Sequence, residues 1–171
     1  MNIYILRHGI AVEPGTPGIN GDPARPLTPE GEDKLKRIAA AMQAMKLTFD
    51  VILSSPYLRA KLTADLVATN LGEKKKLSLT DHLTPEGDPK KLVEQLNGLK
   101  PLPENVLLVG HEPYLSRLIG LLTSGNTGLA IDMKKGGLCK LDAEPLKYGR
   151  CAVLNWLLTP KQMALMAKDE K

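Results

Sequence analysis

Apolar residues follow a helical period in several stretches of the chain. After Pro29, apolar side chains stand at Leu35, Ile38, Ala39 and Met42, which is the i, i+3, i+4, i+7 spacing of one helix face. Similar stripes follow other prolines, and proline fits the first turn of a helix because its missing N–H would be unpaired there. The sequence therefore predicts helices that begin at five dipeptides: Thr28-Pro29, Ser55-Pro56, Asp88-Pro89, Glu112-Pro113 and Thr159-Pro160.

Short apolar runs between these helices predict strands. The runs are Asn2–Leu6, Val51–Leu53, Leu77–Leu79, Val106–Val109, approximately Gly137–Leu141, and Cys151–Leu158. We expect the last two to pair as a hairpin around Tyr148-Gly149. Strand signals that alternate with helix signals are typical of an α/β fold in which amphipathic helices cover a sheet.

The composition favours one domain, over residues 1–171, because 43% of the 171 residues are hydrophobic and 25% are charged. The net charge of +4 is only mildly basic. Lysines cluster only at Lys74–Lys76 and Lys134-Lys135, which we interpret as solvated turns. Aromatic residues are scarce, so a surface that stacks bases is not expected. We therefore predict no nucleic-acid partner.

Two cysteines are too few for a disulfide scaffold, and neither has the Cys/His spacing of a zinc site. The chain begins directly with a strand, without a basic leader followed by an apolar segment. No apolar run approaches the roughly 20 residues that a membrane-spanning helix needs. We therefore expect a cytoplasmic protein that has no metal site and does not associate with membranes. The oligomeric state cannot be read from the sequence.

Cationic or imidazole side chains follow three of the predicted strands. Arg7 and His8 follow the first strand, Arg59 follows the second, and His111 follows the run that ends at Val109. If these strands are parallel neighbours, the four side chains converge at the sheet edge where open α/β sheets bind ligands. Such a cluster needs an anion, and guanidinium groups fit phosphate oxygens. A neutral imidazole can attack phosphorus, so the pattern predicts a phosphoryl-transfer site.

Each of these residues also has a simpler interpretation. Arg7-His8-Gly9 is a weak signal that fits a polar strand end, Arg59 could reach into solvent, and His111 could cap a helix. However, Arg59 falls in the first turn of a predicted helix, where a cation is unfavourable unless an anion lies beside it. Because the residues share the same position after their strands, we favour a functional site.

These motifs resemble those of the histidine phosphatase superfamily, which has the phosphoglycerate mutase-like fold. The matching segments, in chain order, are Arg7-His8-Gly9, Leu27–Gly31, Ser54–Ala60 with Thr63-Ala64, and Val109–His111. Within the superfamily, the short chain, the segment Leu83–Asp88 and the ending Asn155–Pro160 are most similar to SixA-type phosphohistidine phosphatases. The resemblance implies a three-layer αβα sandwich around a mostly parallel central sheet of about six strands.

The resemblance also implies a role for each matching residue. His8 would be the nucleophile that carries the phosphoryl group, and Arg7, Arg59 and His111 would line the phosphate pocket. His111 would also assist catalysis. Arg25, on the long Gly/Pro-rich loop between Ala11 and Pro26, would add a phosphate contact, although a solvent-exposed arginine is an equal alternative. Positive neighbours should lower the pKa of His8 and keep it neutral. The resemblance implies no cofactor.

A general acid is less clear in the sequence. Glu86 is the candidate, since many superfamily members protonate an alkoxide leaving group with a carboxylate, but it equally fits a solvent-facing turn. The imidazole of phosphohistidine leaves with less help from a general acid than an alkoxide does. A site with only a weak general acid therefore suits hydrolysis of a P–N bond. We therefore expect a phosphohistidine phosphatase acting on a phosphorylated protein, for example a histidine-containing phosphotransfer domain. The alternatives are a phosphomonoesterase or mutase acting on a small phosphorylated metabolite, or a phosphate-binding module that is not an enzyme.

Overall fold

The computed structural model describes residues 1–167, over which strands and helices alternate. The strands of this range are β1 (Asn2–Arg7), β2 (Val51–Ser54), β3 (Leu77–Leu79), β4 (Asn105–Gly110), β5 (Leu138–Ala143) and β6 (Ala152–Leu158). Its α-helices are α1 (Pro29–Ala44), α2 (Leu58–Asn70), α3 (Pro89–Asn97), α4 (Tyr114–Ser124) and α5 (Pro160–Met166). None of these helices is long and apolar enough to cross a membrane.

The strands form one sheet in the order β3-β2-β4-β1-β5-β6. β1, β2, β3 and β4 pair in parallel, whereas β5 is antiparallel to both β1 and β6. The α/β fold with a mostly parallel sheet is therefore confirmed, as is the pairing of β5 with β6.

The central strands β1, β2 and β4 of the sheet are buried on both faces. Ile3 and Ile5 of β1 pack in one apolar core with α3 and α4, whereas Tyr4 and Leu6 pack in a second core with α1, α2 and α5. This alternation follows from the two-residue period of a strand. Strands covered on both faces read as continuous apolar runs, which is how β1 and β4 appear in the sequence. The result is the three-layer αβα sandwich that the resemblance implied.

Three of the five predicted helix starts are confirmed. Thr28 accepts a hydrogen bond from the Gly31 N–H at 3.0 Å, and Asp88 and Thr159 cap α3 and α5 in the same way. These caps satisfy backbone donors that the first helical turn leaves unpaired.

The other two starts are displaced. α2 begins at Leu58 rather than Pro56, because the Ser55 hydroxyl is engaged by the Tyr57 N–H at 3.2 Å and by His111 in an extra turn before the helix. α4 begins at Tyr114, one residue later than predicted, and the Glu112 side chain accepts the Ser116 N–H at 2.9 Å. The displacement of α2 still leaves Arg59 in its first turn.

The order of the strands brings three chain segments to one sheet edge. β1 and β2 both flank β4, and their registers pair Arg7 with Gly110 and Ser54 with Val109. The segments that follow these residues carry His8, Arg59 and His111. The register therefore explains why residues more than fifty positions apart in the sequence come together.

Candidate active site

His8 lies directly after β1 and is only 5% exposed. Its Nδ1 lies 2.7 Å from the Gly9 carbonyl oxygen, which can only accept a hydrogen bond, so we assign the ring proton to Nδ1. Nε2 is then unprotonated, and its lone pair accepts a hydrogen bond from Arg59 Nε at 3.3 Å. A neutral imidazole in this tautomer presents a nucleophilic nitrogen beside a guanidinium group.

The electrostatic environment keeps His8 neutral. Burial lowers the pKa of His8 to about 3; the Gly9 carbonyl opposes this shift, while His111, Arg59 and Arg7 reinforce it. The expected effect of the neighbouring positive groups is present, but desolvation is the larger cause. His8 is therefore a neutral imidazole, with one ring proton, in the folded protein at neutral pH.

His111 lies directly after β4 and is 1% exposed, with its ring centroid 5.1 Å from that of His8. Its Nε2 is 2.8 Å from the Ser55 hydroxyl, which has no other acceptor among residues 1–167. We therefore assign the hydroxyl as the donor and the proton of the neutral ring to Nδ1. Burial, followed by the charge of Arg59, lowers the pKa of His111 to about 3. Nδ1 is buried without a hydrogen-bond partner in the described part of the chain.

Arg59 is 4% exposed, although it lies at the positive end of α2. Besides its bond to His8, its Nη1 donates to the Asp22 carbonyl at 2.9 Å and its Nη2 to the Asp22 carboxylate at 3.0 Å. The sequence led us to expect an anion at this position, and in the structure it is the Asp22 side chain. Asp22 lies in a single 3-10 turn of the long loop before α1.

Arg25 belongs to the same cluster. Its Nε and Nη2 both lie 2.8 Å from Asp22 Oδ1, and its Nη1 donates to the Val12 carbonyl at 2.8 Å. One carboxylate therefore bridges Arg25 and Arg59. Partial burial would by itself raise the pKa of Asp22, but the hydrogen bonds from the two arginines outweigh it and the pKa is lowered.

Arg7 is half-buried at the last position of β1. Its Nη1 donates to the Met133 carbonyl at 2.8 Å, and its Nε is buried without a partner among residues 1–167. Burial lowers the pKa of this guanidinium, whereas Glu112 and Asp132 raise it. Buried donors without partners are rare in proteins, and a phosphate oxygen is a suitable acceptor for them.

Glu86 is not bonded to this cluster in the structure. Glu86 is exposed in the turn before α3, and no hydrogen bond or ion pair in the described residues joins it to His8 or His111. The other five predicted site residues lie together. Arg59 contacts His8 directly and is linked to Arg25 through a shared carboxylate. The pairing of β1 with β4 brings Arg7 and His8 beside His111.

Sequence reasoning missed three residues that organise the cluster. Ser55 positions the His111 ring, and Asp22 bridges two arginines. Thr63 accepts the Gly9 N–H at 3.0 Å and donates to the Arg59 carbonyl at 2.7 Å, so it links the segment after β1 to α2. Asp22 stands three residues before Arg25, a common ion-pair spacing that could have drawn attention to it, but no local pattern pointed to Arg59 as its second partner.

The cluster combines a neutral imidazole nucleophile with guanidinium donors. These are the groups that binding and transfer of a phosphoryl group require. Within residues 1–167, no group of three or more His, Cys, Asp or Glu side chains is arranged to hold a metal ion.

Comparisons with known proteins agree with this chemistry. The family model for the histidine phosphatase superfamily (branch 1) matches residues 3–84. An uncharacterised protein of Picosynechococcus is 36% identical over 82% of this chain and 84% of its own length. The phosphohistidine phosphatase SixA of Escherichia coli is 30% identical over 74% of this chain and 77% of its own length. A solved structure of the protein histidine phosphatase SixA complexed with tungstate has a TM-score of 0.79 and 26% identity, over 94% of this chain and 98% of that one.

Proposed function

Since the chain belongs to the histidine phosphatase superfamily and is a phosphatase, we propose that it hydrolyses phosphohistidine in proteins through a covalent intermediate on His8. The observation that carries this proposal is the state of His8, whose Nε2 is unprotonated and lies 3.3 Å from Arg59 Nε. The ring is kept neutral by burial and oriented by its bond to the Gly9 carbonyl.

In the first step, His8 Nε2 attacks the phosphorus atom, and the bond between phosphorus and the substrate imidazole breaks. The substrate imidazole, protonated at its other nitrogen, leaves as a neutral ring, while His8 becomes phosphorylated. Arg59, Arg7 and the Nδ1–H of His111 donate to the equatorial oxygens. Because phosphoryl transfer depends mainly on positioning and charge stabilisation, these donors supply most of the required stabilisation.

In the second step, water attacks the phosphorus atom of phosphorylated His8. The bond to Nε2 breaks, inorganic phosphate leaves, and the proton of the water passes to phosphate oxygen or to a neighbouring base. Neutral His8 is regenerated with its proton still on Nδ1. Arg25 and Arg59 release Asp22 and hold the phosphate oxygens during both steps.

Phosphohistidine is favoured over phosphate esters by the leaving group. An alkoxide leaving group needs a proton from a well-placed acid. The imidazole of phosphohistidine, once it is protonated at its other nitrogen, leaves as a neutral ring and a weak base, so it needs no further proton from the enzyme. The candidate acid Glu86 is exposed and forms no hydrogen bond or ion pair with the histidines in the described residues. The similarity to SixA proteins, whose names state a phosphohistidine substrate, supports the same choice.

A substrate panel tests the proposal. We expect the kcat/KM for a protein phosphorylated on histidine to exceed those for p-nitrophenyl phosphate and 3-phosphoglycerate by at least about 100-fold. Equal rates on all three would disprove the preference for a P–N bond while leaving the phosphatase activity intact. Transfer of the phosphate within 3-phosphoglycerate, without its release, would identify a mutase instead.

The covalent intermediate is tested separately. Radiolabelled phosphohistidine protein is mixed with the enzyme and quenched in alkaline detergent, since phosphohistidine survives base better than acid. The wild-type protein should carry label and the His8→Ala variant should carry none, although that variant should still bind phosphate. Label on the His8→Ala variant would exclude His8 as the nucleophile.

A further inference from the structure

A cleft on the α1–α5 side of the sheet concentrates positive charge beside the end of β1. Its volume is about 860 Å³, and it lies between α1, the loop before β5 and the start of α5. We call it the basic cleft. Its cationic residues are Arg7, Lys34, Arg37, Lys134, Lys135 and Lys161.

Carboxylates balance only part of this charge. Glu30 pairs with Lys34 at 2.8 Å, and Asp132 pairs with Lys134 at 2.6 Å. The remaining cations of the cleft form no ion pair within residues 1–167. The chain as a whole carries a net charge of only +4, so the basic cleft is a local concentration of charge. Lys134-Lys135, which the sequence suggested was a solvated turn, contributes to it.

The lining of the basic cleft fits a protein surface better than a compact polyanion. Apart from Arg7, its cations are exposed side chains on three separate segments, whereas small phosphates are usually held by buried and preorganised donors. Half-buried Ile10, Pro160 and Ala164 add an apolar lining. Long cationic side chains around a partly apolar surface match a partner with acidic groups around apolar ones.

The position of the basic cleft connects it to the proposed chemistry. Arg7 lines the cleft and directly precedes His8 in the chain, and Ile10 lines it two residues after His8. The Gly136 N–H, in the loop that carries Lys134 and Lys135, donates to the carbonyls of both Arg7 and His8 at 3.1 Å. The strand end that presents His8 is therefore also a wall of the cleft.

We propose that the basic cleft docks an acidic surface of the phosphoprotein substrate while its phosphohistidine reaches His8. This inference rests on the proposed function, because a small phosphorylated metabolite would not extend along the cleft. Opposite charges arranged in this way accelerate encounter and fix the orientation of a partner, and salt screens the effect.

The test removes charge from the cleft without touching the catalytic cluster. The cleft variant combines Arg37→Gln, Lys135→Gln and Lys161→Gln. A matched control combines Lys75→Gln, Lys147→Gln and Arg150→Gln. It removes one arginine and two lysines from exposed positions near the amino ends of the parallel strands, whereas the catalytic cluster lies at their carboxyl ends. The substrates are an acidic phosphotransfer domain phosphorylated on histidine, the same domain with its surface glutamates changed to glutamine, and p-nitrophenyl phosphate.

We expect the cleft variant to lose about tenfold in kcat/KM on the acidic domain, mainly through KM, and to lose most of its salt dependence. Its kcat/KM on p-nitrophenyl phosphate should stay within about twofold of wild type, and the control should match wild type on every substrate. The wild-type enzyme should discriminate against the glutamine-substituted domain.

Two results would overturn the inference in distinguishable ways. If the wild-type enzyme hydrolyses the acidic domain and the cleft variant does so equally well, docking at the basic cleft is wrong and the proposed function stands. If the wild-type enzyme hydrolyses p-nitrophenyl phosphate but neither phosphohistidine domain, the proposed function is wrong and the docking inference fails with it.

Discussion

The Asp22 carboxylate is bound to Arg59, the same guanidinium group that donates to His8. Arg59 Nε lies 3.3 Å from His8 Nε2, while Nη2 lies 3.0 Å from Asp22 Oδ2. An anion that approaches His8 therefore meets an arginine that is already neutralised by a carboxylate. Asp22 is about half-exposed, so it can leave this position at a modest energetic cost.

Neutralising Asp22 should strengthen phosphate binding. In the Asp22→Asn variant, the amide repels phosphate less than the carboxylate does and no longer neutralises Arg25 and Arg59. We expect the dissociation constant for inorganic phosphate, measured by isothermal titration calorimetry at pH 7.5, to fall about threefold to fivefold.

The matched control is Asp33→Asn, because Asp33 is an exposed carboxylate that pairs with Lys36 at 3.3 Å on α1. This variant should bind phosphate as the wild type does. Weaker binding by Asp22→Asn would show that the carboxylate mainly orients the two arginines and does not compete with phosphate for them.

The fold could be predicted because its determinants are local. Thr28-Pro29 and Thr159-Pro160 specify helix starts through caps within three residues, and the apolar runs of β1 and β4 reflect burial on both faces. The start of α2 was predicted two residues early, since Ser55 interacts with His111, which lies 56 positions along the chain. A local pattern contains no information about such a partner.

The site was predictable only in part for the same reason. His8, Arg59 and His111 share the position after a strand, and parallel pairing alone brings these positions together. Asp22 comes from an irregular loop whose path depends on the whole fold, so its contact with Arg59 could not be predicted. Burial as the main cause of the low pKa of His8 also required the tertiary structure.

Neutral buried histidines should make stability depend on pH. The folded-state pKa of His8 and of His111 is lowered to about 3, chiefly by burial, from an ordinary value of 6.5. The unfolded chain therefore takes up protons at these rings at a pH where the folded chain does not. Their stabilisation is complete above pH 6.5 and is lost as the pH falls towards 3, by at most about 1.4 kcal/mol per pH unit for each ring.

Urea unfolding at pH 7.5, 6.0 and 5.0 measures this effect. The free energy of unfolding of the wild type should decrease over this series, and the decrease should be much smaller in a variant that combines His8→Asn and His111→Asn. The same slope in both proteins would mean that other groups cause the pH dependence.

Gly31 should be needed for the packing that supports His8. A Cβ at this position in the first turn of α1 would collide with the backbone oxygen of Ile10, two residues after His8. The Gly31→Ala variant should lose about 1–3 kcal/mol in the free energy of unfolding, because the backbone must move apart. It should also lose activity as the strand end shifts.

The neighbouring exposed residue provides the control for Gly31. Glu32→Ala, on the solvent side of the same helical turn, should change the free energy of unfolding by less than about 0.5 kcal/mol and keep full activity. A Gly31→Ala variant as stable as wild type would contradict the close packing of α1 against the segment after β1.

Glu86 should be dispensable for hydrolysis of a P–N bond. Its side chain is exposed and forms no hydrogen bond or ion pair with either active-site histidine in the described residues, and the leaving imidazole needs little acid help. The Glu86→Gln variant should therefore keep its kcat on a phosphohistidine protein within about twofold of wild type. Ser55→Ala, which removes the hydroxyl 2.8 Å from His111 Nε2, provides the contrast and should lower kcat by about tenfold. A loss of 100-fold or more in Glu86→Gln, of the order of a lost general acid, would instead mean that the turn before α3 moves and brings this carboxylate to the substrate.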